Sequence, residues 1–271
     1  MTREGPGSVV DLHTHLLAGV DDGARSASES RDALGALREQ GVSAAAATPH
    51  LAASLAENDP DGWWERLDAF DLAWDALRGT AGTAAPDVRL ERGVELRLDA
   101  PVPELDDRRV RLGGTRYVLV EFATLQMPSF GARQIESVVG RGGRAVLAHP
   151  ERYRGVGGRM DAAASWREAG ALFQVNAGSL VGQYGPGPGR VAWRLLERGW
   201  ADVVASDYHA RGAPAVREAR EAVEARGGGE QAELLFSRNP ARILDGEGTV
   251  EVPPLERPGM WGRLRSLLGL G

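Results

Sequence analysis

Short runs of apolar, strand-forming residues recur along the chain and alternate with longer segments of helical periodicity. Near-continuous apolar runs are typical of parallel strands that are buried on both faces. The second run is the weakest of them, because its alanines are poor strand formers. The predicted strands cover residues 9–12, 42–48, 88–94, 117–122, 145–148, 172–175 and 202–205.

The segments between these strands carry the helical pattern, and the first segment is the clearest. Ser26 and Glu29 have the spacing of a capping box, and Gly41 is placed to end that helix. In the next segment, 61–78, the aromatic residues fall at helical spacing, which favours core packing over a cofactor site. The other predicted helices cover 134–140, 160–169, 190–198, 215–225 and 230–236, and the glycine-rich segments 182–189 and 226–229 are predicted loops.

Seven strands that alternate with helices predict an α/β fold, and more specifically a barrel of seven β/α units. No domain boundary is visible before the prolines that begin at Pro253, so we expect one domain over residues 1–252. A Pro-rich break and a short tail, 253–271, follow it.

The apolar residues of this tail, Trp261, Leu264, Leu267 and Leu268, share one helical face. One interpretation is a short helix that packs on the barrel or on a second copy of the chain in a homo-oligomer. The other is a weak membrane-surface anchor, which would hold the protein at the inner face of the membrane.

Composition excludes several classes of chemistry. The chain has 271 residues, a net charge of -6 and no Cys, and all its basic residues other than His are Arg. Thiol nucleophiles, thiolate metal sites, Schiff-base lysines and a P-loop lysine are therefore excluded. The mild acidity argues against nucleic acid as a partner. No apolar stretch suits a signal peptide or a membrane span, so we expect a cytoplasmic protein.

All five histidines fall at the carboxyl ends of predicted strands. His13 and His15 lie two apart at the end of the first strand, so their side chains point the same way. His50 follows the second strand, His149 the fifth and His209 the seventh. In a parallel β/α barrel those ends share one face, where active sites form. An isolated HxH pair is equally consistent with a metal site and with two surface histidines. Five histidines on one face favour a metal site.

Acidic residues occupy the same strand ends. Glu95 follows the third strand, Glu121 lies near the end of the fourth, and Asp207 follows the seventh. Each one alone would be interpreted as the partner of an arginine, because a buried charge needs compensation. Asp21 and Asp22 would alone indicate a turn. Nitrogen and oxygen ligands without sulfur suit Mn, Fe or Zn, and so many candidates fit two or three ions. Closely spaced ions lower the pKa of a shared water and hold both oxygens of a phosphoryl displacement.

Seven short motifs follow one another across most of the chain, and all but QVNAGSL carry these residues: DLHTHLLAGVDDG (11–23), ATPH (47–50), GVEL (93–96), VEF (120–122), LAHPERY (147–153), QVNAGSL (174–180) and ASDYH (205–209). Together they resemble the polymerase and histidinol phosphatase (PHP) superfamily. The closer resemblance is to the CpsB/CapC-type manganese-dependent protein tyrosine phosphatases of bacterial capsule and exopolysaccharide biosynthesis. The resemblance implies that the barrel is distorted and carries a three-metal centre at the carboxyl ends of its strands.

The resemblance also implies a ligand set for each metal. The first ion would take His13, His15, Glu95 and Asp207; the second would share Glu95 and add Glu121 and His149; the third would take Asp22, His50 and His209. Asp11 would then orient a ligand histidine. Manganese is the implied metal, with iron or zinc as alternatives.

Two arginines are implied as phosphate-binding catalytic groups. Arg152 follows the sequence His149-Pro150-Glu151 in the fifth motif, LAHPERY, and a guanidinium binds phosphate oxygens bidentately. Arg211 is the second candidate, although the loop after His209 is short for the family. Tyr153, Tyr184 and Tyr208 could line a phenyl group or could be ordinary packing residues.

The favoured function is hydrolysis of phosphotyrosine on a protein. The substrate would be the tyrosine cluster of a membrane-bound polysaccharide-assembly kinase. An alternative is a small-molecule PHP phosphatase such as one for histidinol phosphate. A non-enzymatic alternative is a regulatory PHP module, for which missing ligands would be expected, and the sequence lacks none of them.

Overall fold

The computed structural model describes residues 8–256, and parallel strands form its core. The strands are β1 (Val9–Thr14), β2 (Val42–Ala47), β3 (His50–Ala52), β4 (Arg89–Arg92), β5 (Glu95–Leu98), β6 (Tyr117–Phe122), β7 (Arg144–Ala148), β8 (Leu172–Asn176) and β9 (Val203–Ala205). They form a three-stranded sheet in the order β1-β2-β4 and a six-stranded sheet in the order β3-β5-β6-β7-β8-β9. Every strand pair is parallel, which confirms the predicted α/β class.

Helices connect the strands. They are α1 (Ala27–Glu39), α2 (Ala53–Asn58), α3 (Pro60–Ala84), α4 (Gly131–Gly140), α5 (Met160–Glu168), α6 (Ala177–Leu180), α7 (Pro186–Glu197), α8 (Val216–Glu224), α9 (Gly229–Glu233) and α10 (Asn239–Leu244). A π-helical turn, Leu234–Arg238, joins the last two. The short helices α2, α6 and α10 lie outside the segments that the sequence pattern predicted as helical, because a helix of one or two turns has too few residues to show periodicity.

The second and third predicted strands each break and continue in the other sheet. The predicted strand 88–94 is wrong at its end: β4 stops at Arg92, and Glu95 begins β5 instead of ending a strand. At the break the Gly93 N–H donates to the Ala47 carbonyl at 3.0 Å, and a Cβ at Gly93 would lie 3.2 Å from the Leu112 side chain. Glycine therefore allows the close approach at which the chain changes sheets.

Two helix predictions also need correction. Ser26 caps α1 through the Glu29 N–H as expected, but the Glu29 carboxylate accepts from the backbone N–H of Arg25, one residue before the position a capping box requires. The predicted loop 182–189 is partly helical, because α7 already begins at Pro186. Proline is favoured in a first helical turn, since its fixed φ suits the helix and its missing N–H is not needed there.

The carboxyl ends of the strands lie together. The backbone N–H of Asp207, which follows β9, donates to the His13 carbonyl at 2.9 Å, and the His15 N–H donates to the Tyr208 carbonyl at 2.9 Å. These bonds join the end of β1 in the small sheet to the segment after β9 at the edge of the large one. Side chains that leave both sheets at their carboxyl ends therefore face a common space.

The segment after α10 packs back on the protein. Leu255 is buried, and its N–H donates to the Leu196 carbonyl at the end of α7. The rest of the predicted tail, residues 257–271 with its apolar face, lies outside the described residues. Among residues 8–256, no helix combines the length and the apolar character needed to cross a bilayer.

The buried face of α1 offers a test of the packing with a control of the same chemistry. Leu34 is fully buried in α1, whereas Leu72 is 75% exposed on α3. Leu34→Ala is expected to lower the free energy of unfolding by about 2–5 kcal/mol, because it removes buried methyl groups and leaves a cavity. Leu72→Ala should change it by less than about 0.5 kcal/mol. Urea unfolding followed by circular dichroism measures both, and equal losses would contradict the packing described above.

Candidate metal centre

Nine side chains that the sequence singled out as ligands converge in one place. Seven of them lie near or after the carboxyl ends of β1, β6, β7 and β9, whereas His50 and Glu95, expected to follow a strand, are the first residues of β3 and β5. Three groups of them bring ligand atoms close enough to share an ion. The nine residues are His13, His15, Asp22, His50, Glu95, Glu121, His149, Asp207 and His209.

The innermost group consists of the two β1 histidines and two carboxylates. His13 Nε2 and His15 Nε2 lie 3.2 Å apart. His13 Nε2 is 3.1 Å from Glu95 Oε2 and 3.3 Å from Asp207 Oδ1. His15 Nε2 lies 3.5 Å and 3.4 Å from the same two oxygens. All four residues are buried, so four ligand atoms surround one small internal space.

Glu95 extends the cluster, because each of its oxygens faces histidine nitrogens. Its Oε1 lies 3.2 Å from His149 Nε2, and its Oε2 lies 3.0 Å from His50 Nδ1. The same His50 nitrogen is 3.2 Å from Glu121 Oε1, which also accepts from Arg97 Nε at 3.1 Å. Glu95 is thus the one residue in the described chain that touches His13, His15, His50 and His149.

The outer group lies nearer to solvent. Asp22 Oδ1 is 3.3 Å from His209 Nε2 and 3.5 Å from His50 Nε2. The His15 and His209 rings stack with their centroids 3.8 Å apart, which connects this group to the inner one. The Asp22 side chain is 67% exposed, whereas those of His50 and His209 are 21% and 24% exposed. This end of the cluster is therefore where a substrate can reach it.

A chain of buried amides fixes the tautomer of His13. Asp207 Oδ2 can only accept, so the Asn176 atom 2.8 Å from it is the Nδ2 donor. Asn176 Oδ1 then accepts from Gln174 Nε2 at 2.8 Å, which leaves Gln174 Oε1 facing His13 Nδ1 at 2.9 Å. His13 Nδ1 must donate, and in the neutral ring Nε2 presents its lone pair to the inner group.

Two other histidines are anchored in the same way. His15 Nδ1 lies 2.7 Å from Asp21 Oδ2, and His209 Nδ1 lies 2.9 Å from the backbone carbonyl of Asp207. Both partners only accept, so each Nδ1 carries the hydrogen and each Nε2 faces the carboxylates. A hydrogen bond from the distal nitrogen to a carboxylate or carbonyl is the usual way in which proteins orient histidine ligands of metals.

These contacts show that the cluster needs positive charge at its centre. Neutral His13 and His15 would direct two lone pairs at each other over 3.2 Å and at the Glu95 carboxylate. Glu95 Oε2 is buried and has no hydrogen-bond partner. Protons can supply the charge in the metal-free protein, and divalent ions held by the same nitrogens and oxygens can supply it otherwise. The residues present therefore fit metal ions, and the all-nitrogen-and-oxygen donor set suits Mn, Fe or Zn.

The pKa values of the metal-free cluster have the same cause. Burial alone would lower the pKa of His15, but the neighbouring carboxylates of Asp207, Asp21 and Glu95 outweigh it and raise this pKa well above its usual value. For His50, burial is likewise outweighed by Glu121 and Glu95, which raise its pKa to about 10. Burial would raise the pKa of Glu95, but the charge of His13 holds it well below its usual range. The Glu95 carboxylate is therefore ionised and can hold cations.

Asp11 supports the cluster through the backbone and not through a ring. Its Oδ1 accepts from the N–H of His13 at 3.2 Å and from the N–H of Ser206 at 3.0 Å. It therefore ties β1 to the segment that carries Asp207. Its fully buried Oδ2 has no hydrogen-bond partner, and burial raises the pKa of this carboxyl group.

The backbone is strained at two of the candidate ligands. His149 has φ 38° and Asp207 has φ 55°, a region that side chains other than glycine rarely adopt. Such conformations cost on the order of 1–3 kcal/mol each and persist where neighbouring contacts fix them. Gly23 is a further steric requirement, because a Cβ there would lie 2.2 Å from the His15 carbonyl oxygen.

Arg152 lies at the edge of the cluster. Its Nη1 donates to Asp207 Oδ2 at 2.8 Å, and its guanidinium carbon lies 4.4 Å from the centre of the Tyr184 ring. Arg211 reaches the loop before α1 and donates to the carbonyl oxygens of Asp22 and Gly23. The structure therefore brings Arg152 directly to a candidate ligand and brings Arg211 to the backbone beside one.

The three tyrosines considered from the sequence differ in position. Tyr153 is buried in contact with the Phe122 and Trp166 rings, and its hydroxyl accepts from the Phe122 N–H at 3.0 Å. Tyr208 is also buried. Both are packing residues in this structure. Tyr184 is partly exposed and lies beside Arg152 at the edge of the cluster.

Gln174 and Asn176 are functional positions that the sequence argument did not select. They lie two apart on β8, so they face the same side of the sheet in the way that His13 and His15 do on β1. Asp21, which the sequence left as a turn residue, orients His15 and accepts from the His50 N–H at 3.2 Å. The signal for Gln174 and Asn176 in the sequence was their spacing, because two polar residues lie two apart near the carboxyl end of an otherwise apolar strand.

Comparison with known proteins agrees with this geometry. Residues 9–245 match the family described as "Capsular polysaccharide synthesis, CpsB/CapC". Tyrosine-protein phosphatase YwqE of Bacillus subtilis is 29% identical over 205 residues, which are 74% of this chain and 77% of YwqE. Tyrosine-protein phosphatase CpsB of Streptococcus pneumoniae is 27% identical over 246 residues, 87% of this chain and 98% of CpsB.

A crystal structure from work on YwqE and CpsB, which describes them as metal-dependent tyrosine phosphatases, matches with a TM-score of 0.76 at 27% identity. The match covers 92% of this chain and 100% of that one. Because the family match spans the strands and every candidate ligand, the chain belongs to the CpsB/CapC family.

Proposed function

We propose that this protein is a metal-dependent protein-tyrosine phosphatase that acts in the regulation of capsule or exopolysaccharide synthesis. The observation that carries the proposal is the buried Glu95 carboxylate, whose two oxygens face four histidines in an arrangement that requires cations. Relatives named tyrosine-protein phosphatase and a family named for capsular polysaccharide synthesis support the substrate and the process.

The proposed ligand sets are those that the family resemblance implies, and the observed groups contain most of the same residues. His13, His15, Glu95 and Asp207 would hold one ion, and Glu95, Glu121 and His149 a second. Asp22, His50 and His209 would hold a third, and His50 also lies within reach of Glu95 and Glu121. Manganese is the proposed native metal, because oxygen-rich sites with imidazole and no sulfur suit it, as they also suit iron and zinc.

The chain's own residues would bind and orient the phosphate. Bound divalent ions supply an acidified water as the nucleophile and neutralise charge on the phosphoryl oxygens. Arg152 has a guanidinium fixed between Asp207 and Tyr184, so its remaining N–H groups can grip phosphate oxygens without reorganisation. Arg211 is proposed as a second phosphate-binding group that also braces the Asp22 loop. The tyrosine leaving group needs little proton assistance, because its pKa is about 10.

We further propose that the two sheets are halves of one distorted barrel of β/α units within a single domain over residues 1–252. Hydrogen bonds from β1 to the segment after β9 support closure on one side. On the other side the Gly93 and Glu95 N–H groups donate to the carbonyls of Ala47 and Pro49, where both strand pairs change sheets.

The proposed substrate is a phosphotyrosine protein, and a membrane-bound polysaccharide-assembly kinase is the partner that the family's process suggests. Such a kinase is phosphorylated where ATP is present, so the reaction would take place in the cytoplasm at the membrane face. Contact of the tail with the membrane or with a second copy of the chain remains part of this proposal.

The first test concerns metal and substrate together. The purified protein is expected to hold two or three divalent ions per chain and to hydrolyse a phosphotyrosine peptide faster than histidinol phosphate. A strong chelator should abolish the activity, and adding back Mn, Fe or Zn separately should identify the best metal. Iodoacetamide should have no effect on the site, because the chain has no Cys. Full activity in a preparation that elemental analysis shows to be metal-free would refute the proposal.

The second test compares two residues with different proposed roles. Glu95→Gln keeps the shape of the side chain but removes the charge that faces four histidines, so metal content and turnover should both fall to near background. Arg152→Ala should keep its metal and lose on the order of 10²–10³ in kcat, by analogy with the loss of one oxyanion donor. Glu104→Gln, an exposed site, serves as the control. Near-normal metal content in Glu95→Gln would show that the ligand assignment is wrong.

The third test concerns the amide chain from Gln174 to Asp207. Gln174→Met has a similar shape but offers no acceptor to His13 Nδ1, so the ring loses its orientation. Metal affinity, measured by competition with a chelator, is expected to fall about 10- to 100-fold. Gln231→Met on α9 is the matched control. Unchanged affinity in Gln174→Met would mean that the amide chain does not position His13.

A further inference from the structure

A groove with a volume of about 580 Å³ lies beside the metal centre. Arg152 belongs to both, because it lines the groove and its Nη1 donates to Asp207 Oδ2 at 2.8 Å. Three further arginines, Arg154, Arg190 and Arg194, line the groove. They come from two separate segments of the chain, the turn after β7 and helix α7.

The groove has a charge opposite to that of the protein. The chain carries a net charge of -6, yet four arginines and a single carboxylate, Glu151, line this groove. Glu151 is 2% exposed, and its Oε1 accepts from the Ser179 hydroxyl at 2.7 Å and from the Asn176 N–H at 3.0 Å. Its carboxyl group is therefore held inside the protein by these donors and is not presented at the groove surface.

The arginines are available to bind a ligand. Arg154 and Arg190 are exposed, and within residues 8–256 neither of them has a carboxylate partner. Arg194 donates from Nη1 to the Gly157 carbonyl at 2.6 Å, which fixes it along the groove wall. The first turn of α7 contains no acidic residue, so the positive end of the helix adds to the same field.

The size of the groove favours a peptide over a small anion. A volume of about 580 Å³ is much more than one phosphate group occupies, and the four arginines that line it come from two segments of the chain. An extended peptide advances about 3.3 Å per residue. The first few residues beside a phosphotyrosine bound at the metal centre would therefore pass over Arg154 and Arg190.

We propose that this groove recognises anionic side chains that flank the phosphotyrosine in a peptide substrate. The proposal rests on the proposed function, since it takes the metal centre as the position of the phosphotyrosine. The anionic groups are carboxylates of Asp or Glu or the phosphate of a neighbouring phosphotyrosine. Complementary charge of this kind accelerates association and selects among substrates.

The test uses phosphotyrosine peptides of one length that differ only in their flanks. One has Glu beside the phosphotyrosine, one has a second phosphotyrosine there, and one has Gln. The wild-type protein, loaded with metal, is expected to show a kcat/KM about 5- to 20-fold higher for an anionic flank than for the Gln flank, mainly through KM. A few exposed ion pairs together supply a factor of that order. Comparison of kcat/KM between the two anionic peptides shows whether the groove prefers a carboxylate or a phosphate.

Charge-reversed variants make the test specific. In Arg154→Glu/Arg190→Glu the ratio between anionic and Gln peptides is expected to fall to one or below, and in the wild type the ratio should shrink as salt is raised. The control variant, Arg31→Gln/Arg78→Gln, changes two exposed arginines on α1 and α3 and should keep the wild-type ratio. Equal kcat/KM for all flanks in the wild type, or a preference that survives charge reversal, would overturn the proposal.

A binding measurement separates this proposal from the proposed function. A fluorescently labelled Glu-rich peptide without phosphate is titrated with the metal-loaded protein, and anisotropy reports binding in the absence of any reaction. Salt-sensitive binding that charge reversal removes would support the groove even if no phosphotyrosine peptide were hydrolysed, a result that would refute only the phosphatase activity. Absence of such binding together with absence of a flank preference would refute the groove alone.

Discussion

The buried carboxylate of Glu95 is the constraint on which the rest of the centre depends. An ionised carboxylate without compensation is very costly to bury, and here the compensation comes from nitrogens of four histidines on three different segments. The break at Gly93 determines where β5 begins and hence where Glu95 points. The change of sheet between β4 and β5 is therefore a requirement of the site as much as a feature of the fold.

The orientation of the imidazoles follows from acceptors that lie behind them. Asp21, Gln174 and the backbone carbonyl of Asp207 each accept from one Nδ1, so the Nε2 atoms can only face inward. These acceptors belong to a loop, a strand and a strand end, and moving any one element would disturb a different ring. Such mutual restraint explains how the strained backbone at Asp207 and His149 is maintained.

The fold class and the ligand types could be predicted from the sequence because both depend on local patterns. Parallel strands bring their carboxyl ends to one face, so His13 and Asp207 could be placed together although they are far apart in sequence. The change of sheet at Gly93 could not be predicted from the sequence. It depends on a hydrogen bond to the Ala47 carbonyl and on the close approach of Leu112, which is distant in sequence. Gln174 was missed because a neutral amide in a strand has many ordinary roles. The arginine groove joins segments whose proximity no periodicity reveals.

Charge balance explains why an acidic protein can act on an anionic substrate. Four carboxylate side chains face the cluster, those of Asp22, Glu95, Glu121 and Asp207. Two divalent ions would neutralise them, and a third would leave an excess of about two positive charges, close to the opposite of the phosphate's charge of about -1.5 to -2. The metals would therefore attract the phosphate as well as activate water. That attraction acts only at the centre, because salt screens it over about 8–10 Å. Selection among peptides must then come from the surface next to the centre, which is where the arginine groove lies.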